Sequence, residues 1–152
     1  MATAEKSVDV QVPIRTAYDQ WTQFEEFPKF MSDVESVTQL DDRHLHWKVK
    51  IGGVEREFDA EITEQHPEER IAWRATGGVD QAGVVTFHKL DDATTRVMLQ
   101  LQMEPQGFAE TVGEKAGIVS RAAERDMKNF KKFIESRGTE TGAWRGEVPR
   151  DS

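Results

Sequence analysis

The stretch that decides the fold reads HLHWKVKIGGVEREFDAEI and runs from His44 to Ile62. Apolar and charged residues alternate along it on both sides of Gly52-Gly53, which is the two-residue period of a half-buried strand. The glycine pair tolerates the positive φ angles of a tight turn. The sequence therefore predicts a hairpin with one apolar and one charged face. Its apolar positions are Leu45, Trp47, Val49 and Ile51, then Val54, Phe58, Ala60 and Ile62.

The same alternation recurs on both sides of this hairpin and predicts about six consecutive antiparallel strands after an initial one. Aspartates that bond their own backbone close two of the turns, at Leu40-Asp41-Asp42 and Leu90-Asp91-Asp92. The further strands are predicted at Ser7–Val12, Arg70–Thr76, Ala82–Leu90 and Thr95–Glu104.

Helical spacing appears in two places only. Two short helices are predicted after Pro13, the second of them interrupted by Pro28, and one long amphipathic helix is predicted over Gly107–Arg137. Gly138 provides its C-terminal cap. A sheet with one apolar face and a single apolar helix cover each other only if the sheet curls around the helix, which leaves a hollow. We therefore expect an α+β domain over residues 1–138, followed by a polar tail over 139–152 that forms an arm or a frayed end.

The amino-acid composition argues against several classes of binding partner. The 152 residues carry 28 acidic and 20 basic side chains, a net charge of −8, and no cysteine. Phosphate backbones and acidic bilayers repel such a chain, so neither nucleic acid nor a membrane surface is the expected partner. No apolar stretch approaches the ~18 residues of a membrane span, and the first ten residues lack a signal-peptide core. We expect a cytoplasmic protein without stable membrane insertion.

Arg56 is charged but lies between Val54 and Phe58 in the alternation, so its side chain is predicted to point to the same face as the apolar ones. A buried guanidinium needs a carboxylate, water or ligand oxygens as partner, because leaving it unpaired costs several kcal/mol. The alternative is that Arg56 lies near the strand end and extends its charge to solvent.

Signatures of catalysis are absent from the sequence. No nucleophile elbow, phosphate-binding loop or dinucleotide fingerprint occurs, and no catalytic residue or cofactor is predicted. His44 and His46 have a spacing that zinc sites use, but they lie on the charged face without a third ligand, so no metal is predicted. The alternating acids from Glu55 to Glu61 are expected to form a solvated outer face.

Several of these features resemble the START-like, Bet v 1-like helix-grip superfamily, and within it the polyketide cyclase/dehydrase group that also contains coenzyme Q-binding START proteins. The resemblance runs from about Lys6 to Arg137. It is carried by Val12-Pro13 opening the first helix, Trp21 on that helix, the segment Phe24–Met31, the paired hairpins and the long helix ending near Ile134. It implies a helix-grip fold, with a curved sheet of six to seven strands wrapped around the long C-terminal helix and a pocket between them.

The resemblance further implies that a lipid, a quinone or a polyketide-like aromatic molecule occupies this pocket. The alternative is a polyketide aromatase/cyclase or dehydrase acting in the same place, but the polar interior positions of such cyclases correspond here to the apolar Val34, Ala60 and Ile62. Binding or carriage of a hydrophobic small molecule is therefore the first hypothesis. The large side chains either line a ligand site or fill the hollow themselves. The candidate ligand-binding residues are Trp47, Arg56, Phe58, Trp73, Phe87, Leu99, Leu101, Val112, Ala116, Val119 and Ala123.

Overall fold

The computed structural model describes residues 2–32, 34–51, 54–77, 81–103, 112–146 and 148. Within these residues, seven strands, two α-helices and one 3₁₀ helix follow each other along the chain. They are β1 (Ala2–Val10), α1 (Ile14–Trp21), the 3₁₀ helix (Phe24–Lys29), β2 (Val34–Gln39), β3 (His44–Ile51), β4 (Val54–His66), β5 (Arg70–Gly77), β6 (Gln81–Asp91), β7 (Thr94–Met103) and α2 (Val112–Arg137).

The strands form one antiparallel sheet in the order β1-β7-β6-β5-β4-β3-β2. Consecutive strands β2 to β7 pair as hairpins, while β1 returns to lie beside β7. The sheet curls into a half-barrel with α2 against its inner face, so the predicted α+β helix-grip architecture is confirmed. Register shifts in β4, at Asp59/Ala60 and at Ile62/Glu64, add local twist where the sheet bends.

The first strand is longer than its alternation predicts. It spans Ala2–Val10 and pairs with β7 along its whole length, whereas the sequence predicted Ser7–Val12. In the first half of β1, the residues that point inward include Lys6. Its Nζ lies 3.9 Å from a carboxylate oxygen of Glu124 on α2. An inward charge interrupts the apolar period, which explains why the sequence pattern starts too late.

Turn chemistry agrees with the sequence at both aspartate hairpins. The Asp41 carboxylate accepts hydrogen bonds from the Arg43 and His44 amides at 2.8 and 2.9 Å, and Asp91 accepts one from the Ala93 amide at 2.8 Å. Gly138 ends α2 with φ +73°, and its amide donates to the Ile134 carbonyl at 2.9 Å. The left-handed conformation explains the glycine at this cap.

An aromatic cluster joins the 3₁₀ helix to α1 and α2. The Trp21 ring contacts the Phe27, Phe30 and Phe130 rings at centroid distances of 5.2, 5.9 and 5.2 Å. Phe30 and Phe130 are themselves 5.2 Å apart in an edge-to-face arrangement. Because these rings are almost fully buried, they fix the C-terminal half of α2 in the curl of the sheet.

The outer face of β3 and β4 is a ladder of opposite charges. His46 bonds Asp59 at 2.7 Å and Glu57 at 3.0 Å, and these acceptors raise the pKa of its imidazole. This is the solvated face that the alternation predicts. The cross-strand neighbours are His44 with Glu61, His46 with Asp59, Lys48 with Glu57 and Lys50 with Glu55.

Candidate functional site

The inner face of the sheet collects most of the predicted ligand-binding residues. Six of them are buried members of one hydrophobic cluster, and Leu101 is half-buried against it. Trp47 and Trp73, on β3 and β5, therefore share one interior. The six buried residues are Trp47, Phe58, Trp73, Phe87, Leu99 and Ala123.

Trp47 and Trp73 are held in different ways. The Trp47 ring stacks on the cross-strand Phe58 ring at 6.0 Å with an interplanar angle of 5°. The Trp73 ring lies over Gly83, its partner on β6, so closely that a Cβ there would come within 2.4 Å of the ring. Gly83 is therefore required by the position of the Trp73 ring.

Both indoles bury a hydrogen-bond donor that has no partner among the described residues. Trp47 is 5% and Trp73 8% exposed, yet neither Nε1–H finds an acceptor in the part of the chain that the structure describes. Buried indole N–H groups usually find partners, because an unpaired one loses its bond to water without replacement. The Gln81 side chain at the start of β6 adds an unpaired buried oxygen. The interior thus contains polar atoms that no described residue satisfies.

Arg56 lies near the start of β4 and is half-buried. Its Nη1 donates to the Glu55 carbonyl at 3.1 Å, and the residue makes a further interaction as well. These contacts keep the guanidinium close to the strand end. Its role in ligand binding stays a prediction.

Val112, Ala116 and Val119 fall on residues 112–119 of α2, whose side chains lie outside the described residues. Their predicted place opposite the inner face stays a prediction. Ala123, one turn further along, is 2% exposed and faces the core with Met127, Phe130 and Ile134.

Sequence reasoning did not foresee the role of Gln65. The register shift after Ile62 turns this side chain inward, where its Nε2 donates to the Tyr18 hydroxyl at 3.1 Å and its Oε1 has no partner among the described residues. Tyr18 is fully buried, with its ring 5.3 Å from that of Phe87. Strict alternation predicts Glu64 inside instead, so only knowledge of the bulge would have located Gln65.

A hollow of about 470 Å³ lies across β1, β7 and β6. Of its nine described lining residues, six occupy outward positions, while Ala4, Gly83 and Leu101 occupy inward ones. One of the predicted ligand-binding residues, Leu101, therefore borders this hollow. The six outward residues are Thr3, Glu5, Ala82, Val84, Gln100 and Gln102.

Groups for proton transfer are scarce on the inner face. Within the described strand residues, the inward positions of β3 to β7 carry no Asp, Glu or His. The described part of the chain also contains no group of three His, Cys, Asp or Glu side chains arranged to hold a metal ion. Among the same residues, no helix has the length and apolarity to cross a membrane.

Comparison with known families agrees with this geometry. Residues 10–132 match the family described as polyketide cyclase/dehydrase and lipid transport. The chain belongs to this family. One relative, an uncharacterized 17.2 kDa protein in the melC2-rnhH intergenic region of Streptomyces lincolnensis, is 56% identical to this family member over 149 residues. The match covers 97% of this chain and 99% of that protein.

Solved structures of low sequence identity share the fold of this family member. A START superfamily protein from Mycobacterium smegmatis superposes with a TM-score of 0.70 at 18% identity, covering 90% of this chain and 97% of that one. The Zhui aromatase/cyclase from Streptomyces sp. R1128 gives 0.74 at 16% identity, covering 93% and 98%. At such identities the likeness shows the fold alone.

Proposed function

We propose that this domain binds and carries an aromatic, carbonyl-bearing small molecule, of the quinone or polyketide type, between the curled sheet and α2. The observation that carries the proposal is the pair of buried, unpartnered indole N–H donors of Trp47 and Trp73. A carbonyl or phenol oxygen would satisfy such a donor, and the aromatic and aliphatic side chains around it suit a flat apolar body.

The donors favour this ligand class over a plain acyl chain. A saturated chain would leave both indole N–H groups unsatisfied, at a cost of about 1–3 kcal/mol for each buried group. Trp73 is the better placed of the two, because its ring edge lies beside the small Gly83 and the half-buried Leu101. Trp21 also has an unpaired N–H, but three phenylalanine rings surround its indole.

Cyclase or dehydrase activity is the second candidate, and the family description includes it. Such chemistry needs an acid or base within hydrogen-bond reach of the substrate. The polar side chains at the described inward strand positions include Lys6, Arg56, Gln65, Gln81 and Thr95, but no carboxylate or imidazole. This composition favours binding without catalysis.

Two probes of the same shape test the proposal: 1,4-naphthoquinone, which has two carbonyl acceptors, and naphthalene, which has none. The absence of cysteine removes the thiols that would add to a quinone. By equilibrium dialysis we expect the wild-type protein to prefer naphthoquinone about 3- to 10-fold, the equivalent of one hydrogen bond of about 0.5–1.5 kcal/mol.

Trp73→Phe and Trp47→Phe remove one donor each and keep an aromatic ring. We expect each to reduce the preference for the quinone, with the larger effect at Trp73. Trp144→Phe is the matched control for the equilibrium preference, because the Trp144 Nε1–H is not one of the buried unpartnered donors and the backbone amide that bonds Thr22 is kept. If neither probe binds at a few hundred micromolar while circular dichroism shows a folded protein, the proposed function is wrong. Equal binding of both probes in every variant would refute the role of the indole donors.

A further inference from the structure

Helix α1 buries polar residues at positions where a core helix normally carries apolar ones. Asp19 is 1%, Gln20 0% and the adjoining Thr22 2% exposed. Buried polar groups are retained where they find partners. Here the partners come from residues after α2, in the segment that the sequence suggested to be an arm or a frayed end.

The first contacts fix Thr141 and Trp144 to α1. Gln20 donates from Nε2 to the Thr141 hydroxyl at 3.0 Å and accepts from the Thr141 amide at 2.9 Å. The Trp144 amide donates to the Thr22 hydroxyl at 3.1 Å. Side chains of α1 thus bond the backbone of the tail, and this pairing sets the register of the tail on the helix.

Arg145 connects the tail to two other parts of the domain. Its guanidinium donates to the carboxylates of Asp19 on α1 and Glu68 in the turn between β4 and β5. It also lies over the Tyr18 ring, 5.7 Å from the centroid. One side chain therefore ties α1 to the end of the sheet, with its charge balanced by carboxylates on both sides.

Val148 extends the sheet. β4 continues past the end of β3, whose last pair is His44 with Glu61, and this leaves one edge of β4 open. The Val148 and Gln65 backbones exchange two hydrogen bonds there, at 2.9 and 2.8 Å. The tail thereby covers the open edge.

Behind these contacts lies the interior. Tyr18 is under Arg145 on one side and meets Phe87 on the other, while the unpartnered Gln65 oxygen lies on the inner side of the strand that Val148 pairs with. Tyr18 therefore lies between the Arg145 guanidinium and Phe87, one of the predicted ligand-binding residues.

We propose that residues 139–146 and 148 form a strap with Arg145 as its latch, which opens as a unit and controls exchange of the ligand at the α1 end of the interior. The ligand part of this inference rests on the proposed function. Most of the contacts that hold the strap are polar, and its own residues from Thr139 to Gly146 are partly or fully exposed, so the strap belongs to the elements that open before global unfolding. The family match ends at residue 132, whereas the Streptomyces relative matches through the strap.

Amide hydrogen exchange of the full-length protein tests the latch. In Arg145→Gln we expect the amides of Thr141, Trp144 and Val148 to exchange at least tenfold faster together, although only the side chain of Arg145 has changed. Arg74→Gln is the matched control, since Arg74 is 63% exposed and reaches Glu61 only at 4.0 Å. It should leave all three rates unchanged.

Thr141→Ala is a second variant, in case Arg145→Gln fails to fold. It removes one hydroxyl acceptor, and a strap that opens as a unit should then exchange at least threefold faster at Trp144 and Val148 as well. If only the amide of residue 141 exchanges faster, the strap does not open as a unit. If amide exchange is unchanged in Arg145→Gln, Arg145 is not the latch.

Stopped-flow release of 1,4-naphthoquinone tests the control of ligand exchange. We expect at least threefold faster dissociation in Arg145→Gln and no change in Arg74→Gln. If the strap amides exchange faster in Arg145→Gln but the quinone dissociates at the wild-type rate, the strap does not control ligand exchange. It then only holds the tail against the domain. If naphthoquinone does not bind the wild type, the proposed function and the proposed control of ligand exchange both fail. The amide exchange rates still show whether Arg145 holds the strap closed.

Discussion

Phe130→Ala is expected to lower the free energy of unfolding by about 3–5 kcal/mol, the range for deleting a fully buried aromatic side chain. The Phe130 ring is 0% exposed and contacts the ring of Trp21, the last residue of α1, and the ring of Phe30, directly after the 3₁₀ helix. Its loss leaves a cavity between α2 and the elements that close the curl. Chemical denaturation followed by circular dichroism measures the change.

Phe133→Ala, one turn further along α2, is the matched control. Phe133 is only half-buried and contacts Phe30 at 5.4 Å, so we expect a loss of about 1–2 kcal/mol. A typical domain has an unfolding free energy of roughly 5–15 kcal/mol, so the two variants should differ clearly in denaturation midpoint. Equal losses would contradict the assignment of Phe130 as the contact that fixes α2.

Gly83→Ala is expected to destabilise the domain by about 1–3 kcal/mol, the usual range for overpacking a buried site. The added Cβ would come within 2.4 Å of Cζ2 and 2.9 Å of Cη2 of Trp73. Both atoms belong to the six-membered part of a buried indole, which has little freedom to move. The ring must shift, or the pairing between β5 and β6 must give way.

A double-mutant cycle with Trp73→Phe separates this clash from a general cost of alanine at position 83. Phenylalanine lacks the outer ring atoms that the new methyl group would meet, so Gly83→Ala should cost less than about 0.5 kcal/mol in the Trp73→Phe background. Thermal and chemical unfolding of the four proteins supply the cycle. An equal cost in both backgrounds would show that the Trp73 ring does not occupy the position described.

The sequence predicts the sheet well because the strands and turn of each hairpin are specified by residues close together in the chain. The alternation around Trp47 and Phe58, and the aspartate turns, are local patterns that hold in the fold. The long helix follows from its apolar period and from Gly138. These elements need no knowledge of distant contacts.

Other features depend on contacts between distant residues, and the sequence does not reveal them. The bulge that turns Gln65 inward follows from the curl of the sheet, and the requirement for glycine at position 83 follows from a tryptophan ten residues earlier. Asp19 and Gln20 read as ordinary helix-surface residues until Arg145 and Thr141 are seen beside them. The tail lacks an apolar pattern that would predict its packing on α1, because the residues that bind it are polar as well.

The central claim is that the interior holds a carbonyl-bearing aromatic molecule against the indole donors. Its most direct test is the ¹H–¹⁵N spectrum of the four tryptophan side chains, assigned with single Trp→Phe variants and titrated with 1,4-naphthoquinone. We predict that the Nε1–H signals of Trp47 and Trp73 move with saturation, most strongly for Trp73, while that of Trp144 stays in place. Unchanged signals of Trp47 and Trp73 at quinone concentrations that saturate binding, or a shift confined to Trp144, would contradict the claim.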